Sequence, residues 1–296
     1  MPKKPLNIIY IAGSSYSGTT VLGLILGSSD KIFNGGEVCK YKEIKDNSFK
    51  IDPNNEVNNI CTCGELYSTC PYWSRVFKQY QKDVDFNPAG FSKENLKLMI
   101  RLLNPFGSLK AGHSKVEDYY EYAGLLFREA KKRKPTVEYL LDISKSIYNV
   151  YLLKDHPDVK LHVIHLIRNP MDTCNSFKKH KVGTLYAITS WVLVNLFTKI
   201  LVRRSRLKCL TIKYDDLCSK TEETFESIRS FLRIELNTTD YVNKVNSEDY
   251  HIVAGNPFLN NFSFDGLANR KSKSRLNITE KIFVKFFQLI FKPLIK

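Results

Sequence analysis

Leu6-Asn7-Ile8-Ile9-Tyr10-Ile11-Ala12-Gly13-Ser14-Ser15-Tyr16-Ser17-Gly18-Thr19-Thr20-Val21-Leu22-Gly23-Leu24-Ile25-Leu26-Gly27 decides the fold class. Leu6 to Ile11 is a short apolar run with β-branched residues, the pattern of a parallel strand buried on both faces. Small residues follow from Ala12 to Gly18, and Thr19 to Leu26 then reads as a helix ending at Gly27. A glycine loop between such a strand and helix lets backbone N–H groups and the helix dipole converge on a phosphate. Gly13-x4-Gly18 followed by two hydroxyl residues has the spacing of a Walker loop, but Thr19 stands where that loop carries Lys. A kinase or NTPase needs the Lys on its β/γ-phosphates. The loop therefore points to a nucleotide without a γ-phosphate.

Outward from this start, Ile32-Phe33 is a second short strand. From about Cys39 to Lys134 the pattern loosens into an insertion, with helical pieces at Asn95–Leu103 and Val116–Lys132. Alternation then returns: strand Val137–Leu141, helix Ser146–Lys154, strand Leu161–Ile167, helix Met171–His180, the apolar stretch Leu185–Val202, strand Cys209–Lys213 and helix Thr221–Leu232. Strands alternating with helices predict a mostly parallel sheet with helices on both faces. Leu185–Val202 carries Ser190, Asn195 and Lys199 and is expected as a buried helix rather than a membrane span. Thr279 to Lys296 has Ile282, Phe283, Phe286, Phe287 and Ile290 at helical spacing between lysines.

Across 296 residues, 43% hydrophobic and 25% charged composition excludes wholesale disorder and fibrous repeats. A net charge of +15 implies an anionic partner. No RNA-binding or helix-turn-helix signature accompanies it, so nucleic acid is not expected. The N-terminus reads without a secretory signal. With seven cysteines, an odd number, the expectation is a reducing, cytoplasmic setting with the C-terminal helix as the segment that would touch a membrane surface. Cys61, Cys63 and Cys70, with Cys39 as a further member, leave metal binding, a disulfide and free packed thiols all open. The six histidines show no metal-ligand spacing, so no metal-ligating residue is assigned. His162 and His165 read as packed residues, His251 as a neighbour of the nucleotide, and Trp191 as core.

The motifs resemble those of the sulfotransferases that use 3′-phosphoadenylyl sulfate (PAPS). Gly13 to Thr20 is similar to their 5′-phosphosulfate loop. His165-Leu166-Ile167-Arg168-Asn169-Pro170-Met171-Asp172, with Ser176 eight residues past Arg168, resembles their 3′-phosphate motif. Asp142-Ile143-Ser144-Lys145 and Tyr214-Asp215-Asp216-Leu217 resemble two further segments. Gly35-Gly36-Glu37, Cys61-x-Cys63-Gly64 with Cys70-Pro71-Tyr72-Trp73, and Gly255-Asn256-Pro257 look like a bacterial-type branch. Together the pieces span residues 8 to 257. Two departures stand out: Tyr16 occupies a position often basic or His, and Asn169 replaces the usual Asp.

The resemblance implies a P-loop-like α/β fold, one domain over 1–296, with a helical cysteine-bearing insertion that would build the acceptor pocket. It places Ser14, Ser15, Tyr16, Ser17, Gly18, Thr19 and Thr20 on the phosphosulfate, Arg168 and Ser176 on the 3′-phosphate, and Glu37 as the base for the acceptor hydroxyl. Arg168 ends an apolar strand, where open α/β sheets place ligands, and its guanidinium can grip a phosphate bidentately. Lys145 is the replacement for the missing loop cation, reaching the bridging oxygen. The basic cluster Arg270, Lys271, Lys273 and Arg275 would close over the 3′ end. The expected reaction moves a sulfuryl group from PAPS to a glycan, lipid or small alcohol, releases adenosine 3′,5′-bisphosphate (PAP), and requires no metal. The rivals are a nucleotide kinase lacking the Walker Lys and a basic membrane-surface module.

Overall fold

The computed structural model describes residues 5–48, 59–86, 93–236, 251–253 and 274–295. Its strands are β1 (Leu6–Ala12), β2 (Ile32–Asn34), β3 (Tyr139–Lys145), β4 (Val159–Ile167) and β5 (Cys209–Lys213). They form one sheet in the order β2-β3-β1-β4-β5, and every pairing is parallel. The helices are α1 (Thr19–Gly27), α2 (Tyr41–Lys45), α3 (Trp73–Gln79), α4 (Lys93–Leu103), α5 (His113–Arg133), α6 (Ile147–Leu153), α7 (Pro170–Lys179), α8 (Thr184–Arg204), α9 (Tyr214–Ser219), α10 (Thr221–Leu232) and α11 (Ile278–Ile295). The chain is thus the α/β fold expected, with helices on both faces of the sheet.

The central strand explains the two-sided core. Ile9 and Ile11 of β1 pack with Leu22 and Ile25 of α1, Ile143 and Ile164. Tyr10 lies on the other face with Val150, Val163 and Phe197, while Leu6 and Ile8 meet Tyr72, Trp73 and Tyr122 from the insertion. Apolar residues on both faces are what a parallel strand covered on both sides requires.

β3 differs from expectation at both ends, each for a local reason. β3 starts at Tyr139, two residues after Val137, because the amides of Glu138 and Tyr139 both donate to Lys31 O before the strand joins its neighbours. It also runs on to Lys145 instead of stopping near Asp142, since Ala12 of β1 still pairs there. The helices α2, α3 and α9 escaped notice because five to seven residues show too little of the helical period.

α8 is long and apolar enough to cross a membrane, but Ala187, Ile188, Trp191, Val192, Phe197 and Leu201 are buried. It packs against α4, α6, α7, α11 and β4. α11 begins with a reciprocal cap: Glu280 N donates to Asn277 Oδ1 and Asn277 N to Glu280 Oε2, each at 2.8 Å. Val284 is buried, with Phe283, Phe287 and Phe291 beside it, against Phe177 and Trp191. Ile282, Phe286, Leu289 and Ile290 stay exposed. Gly255-Asn256-Pro257, Arg270, Lys271 and Lys273 lie outside the described residues.

Candidate active site

The carboxyl ends of β3, β1 and β4 converge. Ala12 pairs with Lys145 on one side and His165 on the other, so the glycine loop leaves the sheet between Lys145 and the strand leading to Arg168. Open α/β sheets receive ligands at this edge.

The loop is built by close approach. A Cβ on Gly13 would stand 2.6 Å from Leu166 O, and Gly18, at φ 93°, has the Tyr214 ring 2.3 Å from where a Cβ would be. Tyr16 also takes a positive φ, 61°, a conformation costly for a non-glycine residue and often found at functional sites. Gly18 caps α1 without a side-chain acceptor, which leaves the first-turn amides at Thr19 and Thr20 open toward the loop. Ser14 and Ser17 are buried, and among the described residues their hydroxyls have no hydrogen-bond partner. Unpaired buried hydroxyls are costly unless a ligand completes them. Ser15 is exposed on the same loop and Thr19 is buried. The Tyr16 ring is engaged elsewhere: it meets Phe177 edge-on at 4.7 Å and stacks on His180 at 4.9 Å.

Arg168 donates from Nη1 to Tyr16 O at 3.0 Å and lies 4.8 Å above the centre of the Tyr214 ring. Among the described residues its buried Nε has no partner and Arg168 forms no ion pair. Trp191 is core, as expected, and its Nε1 also donates to Arg168 O at 2.9 Å. Asn169 caps α7 by accepting from Met171 N, also at 2.9 Å, so the replacement of Asp keeps the turn. Ser176 is half-buried on α7, and its hydroxyl donates to Asp172 O of its own helix at 2.9 Å.

Glu37 and Lys145 form an ion pair, with side-chain exposures of 18% and 19%. Lys145 sits at the last position of β3 with φ 65°. Glu37 is fixed by its turn. Asn34 Nδ2 donates to Gly23 O at 2.8 Å, and its Oδ1 accepts from Gly36 N at 3.0 Å. Gly36, at φ 73°, leaves room for Val253, whose carbonyl accepts from Glu37 N at 3.0 Å.

Beneath this turn lie three residues given no role from the sequence. Asp142 is fully buried and accepts from Ser144 N at 2.8 Å, from the Ser144 hydroxyl and from Tyr119 OH. Ser144 Oγ in turn accepts from Cys39 N at 3.0 Å, just past Glu37. Burial pushes the Asp142 carboxyl up to about 6, against the pull of these hydrogen bonds. The signal available was period two: Asp142 and Ser144 share one face of β3.

The histidines divide. His165 is held by Asn195 Oδ1 at 2.9 Å, and burial lowers its pKa to about 4; His162 packs between Tyr139 and Phe231. Both are packed residues, as expected. His251 is buried too, but in polar company: Cys61, Cys63, Cys70 and His251 bring their ligand atoms within 4.8 Å of one another. The chain spacing of the histidines offers no such grouping, and the fold brings this one beside three of the cysteines. Spacing along the chain could not show it, because His251 lies 181 residues beyond Cys70.

Against known proteins, the model of the Sulfotransferase family matches residues 8–238. The chain belongs to the sulfotransferase family. No match emerges among curated proteins. Among solved structures, this sulfotransferase is similar in fold to the sulfotransferase domain of the olefin synthase of Synechococcus PCC 7002, at 17% identity and a TM-score of 0.50, covering 95% of this chain and 94% of that one. It is likewise similar to the sulfotransferase domain from the curacin biosynthetic pathway, at 14% identity and a TM-score of 0.50, covering 98% and 99%. The enzyme is thus of the sulfuryl-transferring type, and the edge of β3, β1 and β4 is its candidate active site.

Proposed function

We propose that this sulfotransferase moves a sulfuryl group directly, in line, from PAPS to an acceptor hydroxyl. The observation that carries the proposal is the glycine loop with two buried, unpartnered hydroxyls, flanked in register by Lys145 and its partner Glu37. The loop amides with Ser14 to Thr20 would hold the phosphosulfate, and Arg168 the 3′-phosphate, with Ser176 nearby on α7. The acceptor oxygen bonds to sulfur as the bridging S–O bond breaks. The acceptor proton passes to the Glu37 carboxylate, and the electron pair stays on the 5′-phosphate of PAP. There the Lys145 ammonium and the loop dipoles meet the developing charge. The donor competes for Lys145 and thereby releases Glu37 for the acceptor. The step itself needs no metal.

On this reading the acceptor is a glycan, lipid or small alcohol, the enzyme works in the cytoplasm, and its partners do not include nucleic acid. The exposed Ile282, Phe286, Leu289 and Ile290, beside exposed Lys285 in a chain of net charge +15, support peripheral contact with an anionic membrane surface.

PAP is expected to raise the melting temperature by mass action, with most of the shift lost in Arg168→Ala. Sulfur-labelled PAPS with a host extract should yield a labelled product. A melting curve indifferent to PAP but raised by ATP with Mg²⁺ overturns the proposal in favour of the kinase.

A further inference from the structure

The insertion and the C-terminal part of the chain meet at one buried point. Cys61-x-Cys63-Gly64 is a tight turn: Gly64 N donates to Cys61 O at 2.9 Å, Gly64 has φ 90°, and Cys61 N donates to Glu65 O at 2.8 Å. Cys70 follows on the turn that enters α3. The Sγ atoms of Cys63 and Cys70 are 3.7 Å apart, and those of Cys70 and Cys61 3.6 Å. His251 Nδ1 lies 3.2 Å from Cys70 Sγ and 3.7 Å from Cys61 Sγ. Zinc bound at about 2.3 Å to sulfur and about 2.0 Å to nitrogen sets tetrahedral edges of about 3.5 to 3.8 Å. Four of the six edges stand near those lengths, and all four ligand atoms lie within 4.8 Å of one another. Disulfide sulfurs would be about 2.0 Å apart, and none of these pairs is.

The surroundings orient the set. Trp73 Nε1 donates to His251 O at 3.1 Å, Ile252 N donates to Thr62 Oγ1 at 3.0 Å, and the Tyr72 ring stacks on the imidazole at 5.5 Å. Among the described residues the other ring nitrogen, Nε2, has no partner, so the thiol cluster is the polar engagement of this buried ring. Three thiols and one imidazole suit a soft or borderline cation, and four protein ligands leave no open position for chemistry.

We infer that Cys61, Cys63, Cys70 and His251 bind one structural Zn²⁺ that clamps the 251–253 segment onto the turn carrying Glu37. Two residues past His251, Val253 forms a parallel bridge with Gly36 and takes the hydrogen bond from Glu37 N. The ion therefore acts on the base through backbone, as a positioning device.

Metal content tests this without any assay of sulfuryl transfer, so its failure is separable from failure of the proposed reaction. Elemental analysis of the full chain, purified in reducing buffer without added metal, should give about one zinc per chain. Cys63→Ser, at the least buried ligand, should lower this severalfold, and Cys209→Ser should not. Cobalt exchanged into the wild-type chain should show thiolate charge-transfer and tetrahedral bands, a readout that stands even if Cys63→Ser fails to fold. In His251→Asn, zinc occupancy and kcat should fall together while the PAP-induced melting shift persists. A metal-free wild-type chain whose three thiols alkylate after denaturation, one lighter by two hydrogens from a disulfide, cobalt bands lacking thiolate character, or full zinc in Cys63→Ser would each overturn the inference.

Discussion

At the scale of residues, Glu37 bears the sharpest expectation. An acceptor hydroxyl is a poor nucleophile unless its proton leaves as the new bond forms, and a general base is worth roughly 10²–10⁴ in rate. Glu37→Gln keeps the shape and removes the basicity. Turnover is expected to fall by that range with PAP binding near wild type; a loss of only a few-fold in single-turnover assays would make Glu37 a turn residue. Asp142 carries a pH signature. Its folded pKa, about 6, lies above the ordinary carboxylate value, so the folded chain binds the extra proton and this group stabilises on acidification. Between pH 7 and about pH 4.5, wild type should gain about 2 kcal/mol on Asp142→Asn in denaturant melts. A difference independent of pH would show Asp142 to be ionised throughout. Gly13, Gly18, Arg168 and Glu37 were visible in the sequence because they sit in short motifs just past strand ends. The support from Tyr119 and Ser144 was not, because it depends on partners that only the fold supplies.

At the scale of elements, the central strands were legible because β1 and the middle of β4 are buried apolar runs, while α3 and α9 were too short to display a period. α11 shows both of its faces at work. One is packed on α7 and α8, with Lys178 and Thr184 both reaching Glu280, so cutting the helix away would strip the cover from Phe177 and Trp191. The exposed face is better tested by Phe286→Gln with Leu289→Gln, which leaves Val284 in place. Flotation with anionic liposomes should recover the wild-type chain and several-fold less of the double variant. Equal recovery removes the membrane contact.

At the scale of the whole molecule, the strand order and the meeting of residue 251 with residues 61 to 70 were beyond sequence reasoning, since neither leaves a local pattern. Brief EDTA should leave turnover intact, because the proposed transfer would draw its charge from Lys145 and the loop, and Cys61, Cys70 and His251 are nearly inaccessible at 2%, 0% and 2% exposure. Immediate loss reversed by Mg²⁺ would count against the mechanism. The bridge between Gly36 and Val253 also orders events in time. A ribosome delivers the loop, Lys145 and Arg168 first, but the amide of Glu37 has no carbonyl to meet until residue 253 emerges. A nascent chain can therefore shape the loop edge of the sheet well before the Glu37 turn gains its last backbone partner, which waits on residue 253.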